Sequence, residues 1–201
     1  MRKNLAMTTI TVATAIALAG CSAGTSDSSM PGMNHGSASA SPAGSAAAAP
    51  ADHNAADAEF ARMMIPHHAQ AVQMSDGVLA KNGIPAQVTA LAGRIKAAQG
   101  PEIEKMTGWL KDWNEPAEMS GGHTMNGMVD NGDMTKLEAA QGREAARLFL
   151  THMIAHHQGA VAMAQKEGAE GKNADALKLG KDIVVAQEAE IKEMQELLGT
   201  L

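Results

Sequence analysis

RMMIPHHAQAVQM, at residues 62–74, returns as THMIAHHQGAVAM at residues 151–163. Both copies contain Met-Ile, one variable residue, His-His, and a further Met six residues later. The chain has eight histidines, and four of them stand in these two copies. The repetition predicts two equivalent elements that bring their histidine pairs to one place in the fold.

The repeat extends over two helical hairpins. Around each His-His pair, apolar residues recur at alternating spacings of four and three, which is the period of one helical face. The first predicted helix of each hairpin matches its counterpart at an offset of 89 residues, and the second at 88. The hairpins cover residues 55–113 and 135–199, and residues 114–134 connect them.

These patterns predict an all-α domain over residues 55–201, an up-down-up-down four-helix bundle built from two repeated hairpins. The predicted helices are 55–81, 86–113, 135–167 and 173–198, with Asn54 and Thr135 as N-caps. In this order the first and third helices run parallel, and a pseudo-two-fold axis relates the hairpins. Pro66 should kink the first helix.

The first 21 residues have the order of a bacterial lipoprotein signal peptide. Arg2 and Lys3 precede an apolar run, which Leu-Ala-Gly-Cys closes at residues 18–21. The run is shorter than the roughly 20 residues that span a bilayer. The closing residues resemble a lipobox, and an ordinary signal peptide is the alternative. We therefore predict a lipid anchor on Cys21 at the extracytoplasmic face of the cell membrane.

The amino-acid composition predicts a tether and excludes several kinds of site and partner. Residues 22–54, rich in Ser, Ala, Gly and Pro, predict a flexible tether. Cys21 is the only cysteine, so the folded part has neither disulfides nor thiolate metal sites. The formal net charge is −6 and there is no basic run, which argues against nucleic acid as a partner.

Polar residues interrupt the apolar stripes of all four predicted helices at one height. His67 lies on such a stripe, and His68 follows about 100° around the helix. His67 and Gln99 each lie 16 residues from Gly83, the centre of the first turn, so they should meet. Burying such groups without partners costs several kcal/mol each. The whole layer consists of His67, His68, Gln99, Glu102, His156, His157, Gln187 and Glu190.

A metal ion would satisfy this layer. Met64 and His68 are four residues apart, on one side of a helix, as are their counterparts in the second copy. Thioether and imidazole together favour copper, above all Cu(I), over other transition metals. The predicted ligands are Met64, His67, His68, Met74, His152, Met153, His156, His157 and Met163. Further ligands, or groups that orient the imidazoles, are Gln99, Glu102, Met106, Gln187, Glu190 and Met194.

Methionine also occurs in polar, Gly-rich segments, where packing in a hydrophobic core does not explain its presence. Two such segments, MPGMNH at 30–35 and MSGGHTMNGM at 119–128, combine Met with His. We predict that they capture Cu(I). The residues concerned are Met30, Met33, His35, Met119, His123, Met125 and Met128.

The doubled motif Met-Ile-x-His-His-x-x-Ala-x-x-Met resembles the domain-of-unknown-function family DUF305 over about residues 55–198. The resemblance implies a ferritin-like four-helix bundle, a secreted protein, and an association with copper binding and resistance. By position, the matching residues are Met64, His67, His68 and Met74, then Met153, His156, His157 and Met163.

The expected function is therefore sequestration or delivery of copper by a membrane-anchored protein that is not an enzyme. Two other classes of function stay open. A ferritin-like di-metal redox enzyme would need a layer of typically four Glu and two His, whereas this layer offers two Glu and four His. A structural module without metal would need a polar layer whose members satisfy one another. The sequence does not identify a protein that receives the metal.

Overall fold

In the computed structural model, residues 52–118 and 125–201 are described. They form α1 (Ala55–Leu79), α2 (Ala86–Asp112), α3 (Asn131–Ala139), α4 (Gly142–Glu170) and α5 (Ala174–Thr200). No strand occurs in these two ranges, so the predicted all-α class is confirmed. Within them, no helix has an apolar stretch long enough to cross a bilayer. The signal peptide, most of the tether, and Cys21, Met30, Met33, His35, Met119 and His123 lie outside the described residues.

Helix α1 begins at the predicted N-cap. The Asn54 side chain accepts hydrogen bonds from the backbone N–H groups of Ala56 and Asp57, and Asp57 accepts one from the Asn54 N–H at 2.6 Å. The other Asp57 oxygen accepts from the N–H groups of Lys172 and Asn173, both at 2.9 Å. One buried carboxylate thus starts α1 and fixes the α4–α5 turn against it.

The prediction of a single helix over 135–167 is wrong. Ala140 and Gln141 are extended, and they separate α3 from α4. Gly142 has φ 54°, a conformation that glycine adopts at low cost, so the chain turns there. Asp130 caps α3 by accepting from the Asp133 N–H, while the predicted cap, Thr135, lies inside α3.

The predicted parallel direction of the first and third long helices is also wrong. Lys166 of α4 donates to Glu59 of α1 at 3.0 Å, so the end of α4 lies beside the start of α1. The Asn54 side chain likewise donates to the Glu170 carbonyl at 2.8 Å. Helices α1 and α4 are therefore antiparallel, and α2 runs in the same direction as α4. The order is up-down-down-up, and the ferritin-like assignment stays a prediction.

The reason is the path of the connection between the hairpins. It leaves α2 near the start of α1, where Arg62 pairs with Glu115 at 3.0 Å. It passes the middle of α1, where the Gln70 side chain exchanges two 2.8 Å hydrogen bonds with the backbone of Val129. It enters α4 at Gly142, beside Gly83 in the α1–α2 turn. The connection thus runs the length of the helices, and α4 must start at the opposite end.

The hydrophobic core consists of two separate clusters. One joins Ala71, Met74 and Val78 of α1 to parts of α2, α3, α4 and α5. The other joins Phe60 and Met64, near the start of α1, to the end of α4 and to α2 and α5. His67 and His68 fall between the clusters in sequence and in space. The helices therefore enclose a polar layer with an apolar cluster on each side.

We predict that Gly159→Ala destabilises the protein by about 1–3 kcal/mol, the usual range for overpacking. A Cβ at Gly159 of α4 would overlap the Asn126 carbonyl, because the connection lies directly on the helix. Urea unfolding followed by circular dichroism measures the change.

The matched control is Gly93→Ala in α2, whose added Cβ meets nothing within 4 Å. This change should stabilise the protein by about 0.5–1 kcal/mol, because Gly is a poor helix former. Equal effects of the two substitutions would contradict the close contact at Gly159.

Candidate functional site

The two repeats meet at a pair of stacked imidazoles. The rings of His67 on α1 and His156 on α4 have centroids 3.7 Å apart and planes inclined at 38°. Both residues are at most 1% exposed. Each lies near the middle of its helix, so two antiparallel helices still bring them together. This contact confirms that the duplicated motifs lie side by side, although in the opposite direction to the one predicted.

The other two histidines each bind a carboxylate of the neighbouring helix. His68 Nε2 donates to Glu102 Oε2 on α2, and His157 Nε2 donates to Glu190 Oε2 on α5, both at 2.8 Å. The imidazoles are fully buried, while the glutamate side chains are 20–23% exposed. Each carboxylate fixes the orientation of its ring and holds a proton on Nε2. In the neutral ring, Nδ1 then carries a free lone pair.

Burial leaves many polar atoms of the layer without a hydrogen-bond partner. Seven such atoms belong to the layer, all with almost no solvent contact: His67 Nδ1, His68 Nδ1, Gln99 Oε1, His156 Nδ1 and Nε2, His157 Nδ1, and Gln187 Oε1. A typical folded domain has only a few unsatisfied buried groups per 100 residues. The layer is therefore far from satisfying itself.

The central imidazoles are neutral near pH 7. Burial lowers the pKa of His67 to about 4, although the hydrogen bond to the Asn126 carbonyl acts in the opposite direction. Burial, together with the neighbouring histidines, lowers the pKa of His156 to about 2. Two imidazolium rings would repel each other at 3.7 Å, and neutral imidazole is the form that binds metal ions.

Most of the predicted methionine ligands are buried beside the layer. Met64 and Met106 belong to one apolar cluster, and Met74, Met153 and Met194 belong to the other. All five are at most 1% exposed. Their sulfur atoms are thus enclosed in the core, where core packing alone also accounts for their presence.

Four other predicted residues lie elsewhere. Met163 is half-buried and lines a cavity near the start of α1, away from the histidine pair. His152 Nε2 is buried without a partner, and the ring lies near Asp133 of α3. Met125 and Met128 are half-buried in the part of the connection that crosses the helices. These residues do not join the layer around His67 and His156.

No group of three His, Cys, Asp or Glu side chains encloses a metal-sized position within residues 52–118 and 125–201. Glu102 and Glu190 are directed at the outer nitrogens of their own histidines, so the carboxylates do not converge. Metal binding in the layer would therefore rely on imidazole nitrogens with thioether sulfurs, which is the donor set that suits copper.

Sequence reasoning missed the residues that place the connection over the layer. His67 Nε2 donates to the Asn126 carbonyl at 3.3 Å, and Gly159 allows that approach. The signal was in the repeat: Gly159 is the counterpart of Gln70, which binds the same connection through Val129. In this repeat, the difference between Gln70 and Gly159 stands where the connection lies against both helices.

Sequence reasoning also missed a buried carboxyl group at one end of the helices. Glu167 of α4 is 1% exposed, and its carboxyl group lies beside the carboxylate of Asp57. Burial raises its pKa to about 8, and the neighbouring Asp57 acts in the same direction. Its counterpart in the first repeat is Val78, a core residue. A glutamate at a core position of the repeat was the available signal.

The metal-free protein should lose stability as the pH falls below 6.5. The unfolded chain takes up protons on His67 and His156 near pH 6.5, whereas the folded chain does so only near pH 4 and pH 2. The free energy of unfolding therefore falls across this interval, by up to about 2 kcal/mol per histidine between pH 6 and 4.5.

Urea unfolding from pH 7.5 to 4.5, with a chelator present, compares the wild type with the His67→Gln/His156→Gln variant. The wild type should lose more stability on acidification than the variant. Parallel pH profiles would show that these rings are not held neutral.

The comparisons with known proteins agree with the family expected from the motif. The model of the family described as a domain of unknown function (DUF305) matches residues 57–198. A DUF305 protein from Streptomyces coelicolor is 36% identical, with a TM-score of 0.68, and the match covers 72% of this chain and 93% of that one. A DUF305 fragment from Deinococcus radiodurans is 29% identical, with a TM-score of 0.68 and coverage of 75% and 100%.

A third solved structure is CopM in its Cu(I)-bound form. It is 31% identical, with a TM-score of 0.60, and the match covers 72% of this chain and 96% of CopM. CopM has also been solved with Cu(II) and with silver. No curated protein gives a significant match to this chain. The family model covers well over half of the sequence, and the chain therefore belongs to the DUF305 family.

Proposed function

We propose that this protein binds copper in its buried histidine layer and sequesters the ion or hands it over outside the cytoplasm. The observation that carries the proposal is the set of seven enclosed polar atoms that no protein group satisfies. Leaving a buried donor or acceptor unpaired costs about 1–3 kcal/mol each. Metal–ligand bonds would offset that cost, and four of the seven atoms are Nδ1 nitrogens.

The two carboxylate–histidine pairs support the same conclusion. A histidine that binds a metal usually donates its other ring N–H to a carboxylate, a carbonyl or water, which orients the ring and raises its basicity. His68 and His157 already have this arrangement with Glu102 and Glu190. His67 has it with the Asn126 carbonyl. Three of the four rings are thus held with Nδ1 as the free nitrogen.

Copper fits this donor set better than iron or zinc does. Buried thioethers lie one helical turn from the histidines, as in Met64–His68 and Met153–His157, and thioether favours Cu(I). Here copper is the cargo that the protein carries. Its neutral imidazoles need not release a proton before they bind it, because burial already keeps His67 and His156 deprotonated.

The similarity to CopM supports copper as the ion. CopM, at 31–33% identity, has been solved in Cu(I)- and Cu(II)-bound forms. The rival function, a di-metal oxidase, requires carboxylates that converge on a pair of ions. In this protein each layer glutamate is engaged by a histidine, which disfavours that arrangement.

Anchoring and capture complete the proposal. A lipid on Cys21 would hold the domain at the extracytoplasmic face of the membrane, and residues 22–54 would act as a tether. The Met/His segments at 30–35 and 119–128 would capture Cu(I) before it reaches the layer. Their sequences support this role, because core packing does not explain methionine in polar, Gly-rich segments.

Anaerobic Cu(I) titration of the mature chain against a chromogenic competitor tests the proposal. Replacing His67, His68, His156 and His157 with Ala should remove at least one tightly bound Cu(I), because the variant lacks all four imidazoles of the layer. His53→Ala is the matched control and should keep the wild-type stoichiometry, since His53 stacks on Trp113 outside the layer.

Circular dichroism must show that the fourfold variant is helical. The smaller change His68→Gln/His157→Gln provides a second test if it is not. Unchanged stoichiometry in both variants would exclude the layer as a copper site. Iron loading with oxygen consumption would instead favour the oxidase.

Glu102→Gln with Glu190→Gln should lower Cu(I) affinity by about 10–100-fold while keeping the stoichiometry. An amide accepts a weaker hydrogen bond from imidazole and can also donate one, so it no longer fixes the Nδ1 lone pair. The same competition titration measures the affinity. Glu188→Gln, on the exposed side of α5, is the control, and an equal loss there would contradict a specific role.

A further inference from the structure

Two methionines line one small surface cavity outside the histidine layer. Met63 on α1 and Met163 on α4 both line a cavity of about 50 Å³, and both are half-buried. Met63 is four residues before His67, so the cavity lies about one helical turn from the stacked imidazoles. This position contrasts with the other helix methionines near the layer, which are at most 1% exposed.

The antiparallel packing of α1 and α4 sets the two side chains at one level. Glu59 and Lys166 form an ion pair at 3.0 Å across the same two helices. Met63 follows Glu59 by four residues and Met163 precedes Lys166 by three, so both lie one turn inward from that pair. The charge of Lys166 is offset by Glu59 and does not leave the cavity cationic.

A buried carboxyl group belongs to the same cavity wall. Glu167 lines the cavity together with the two methionines, is 1% exposed, and lies beside the carboxylate of Asp57. Burial raises the pKa of Glu167 to about 8, so this carboxyl group is largely protonated near pH 7 and adds little charge to the cavity. Thioether sulfur binds soft monovalent cations and has little affinity for hard ones. The cavity therefore combines two soft donors with a wall that carries little net charge.

We propose that Met63 and Met163 form a separate binding site for a soft monovalent cation, Cu(I) or Ag(I), at the surface cavity between α1 and α4. Neither residue contacts the layer through a hydrogen bond, so this site does not require the layer to bind metal. Its place one turn from His67 makes it an entry position for an ion that moves inward. Glu167 is largely protonated near neutral pH and is not a ligand, because its carboxyl group packs against Gly171.

The test uses the mature chain labelled with [methyl-¹³C]methionine and titrated with Ag(I), which avoids copper oxidation. Met63→Leu and Met163→Leu assign the two methyl signals and remove one sulfur each at nearly constant volume. The Met63 and Met163 signals should shift with a common midpoint. Met63→Leu should weaken the Ag(I) affinity seen at Met163 by about tenfold or more, since loss of even an outer group changes metal affinity that much.

Met134→Leu is the control, because Met134 lies on α3 and packs in the other apolar cluster. It should leave both signals and their midpoint unchanged. The proposal is overturned if the two signals do not move at saturating Ag(I), or if Met63→Leu leaves the Met163 midpoint unchanged. In the His68→Gln/His157→Gln variant, persistent shifts at Met63 and Met163 would separate this site from the layer.

Discussion

The structure depends on a buried polar layer enclosed between two apolar clusters. His67 and His156 stack at 3.7 Å where α1 crosses α4, and burial holds both rings neutral. Charging either ring would place an imidazolium against its neighbours in a medium of low polarity. The layer thus constrains how the helices pack. They must lie close enough to exclude water, and they must still leave imidazole nitrogens without a protein partner.

The connection between the hairpins makes two similar halves unequal. It crosses α1 and α4 at the height of the layer, supplies the Asn126 carbonyl to His67, and gives no partner to His156 Nε2. Gln70 holds the connection on one side, and Gly159 gives it room on the other. A duplicated sequence therefore produces a pair of histidines that differ in their hydrogen bonds, in their pKa values and in their contacts with the connection.

The same antiparallel crossing explains the two kinds of methionine. Met64 and Met153 are enclosed next to the layer, where a sulfur reaches an ion only inside the core. Met63 and Met163 are half-buried and line a surface cavity. An ion bound between Met63 and Met163 would therefore lie about one helical turn from His67.

The sequence by itself determined the helical class, the capping of α1 by Asn54, and the burial of four histidines in one layer. These features follow from local periodicity and from the repeat, which any fold of this chain has to satisfy. Only the tertiary structure decided the direction of α4, the break at Ala140–Gln141, and the partners of each ring. A helical pattern fixes which face is buried, but the path of the connection fixes which end of the next helix comes first. The carboxyl group of Glu167 and the position of Met163 depend on that direction, so periodicity could not reveal them.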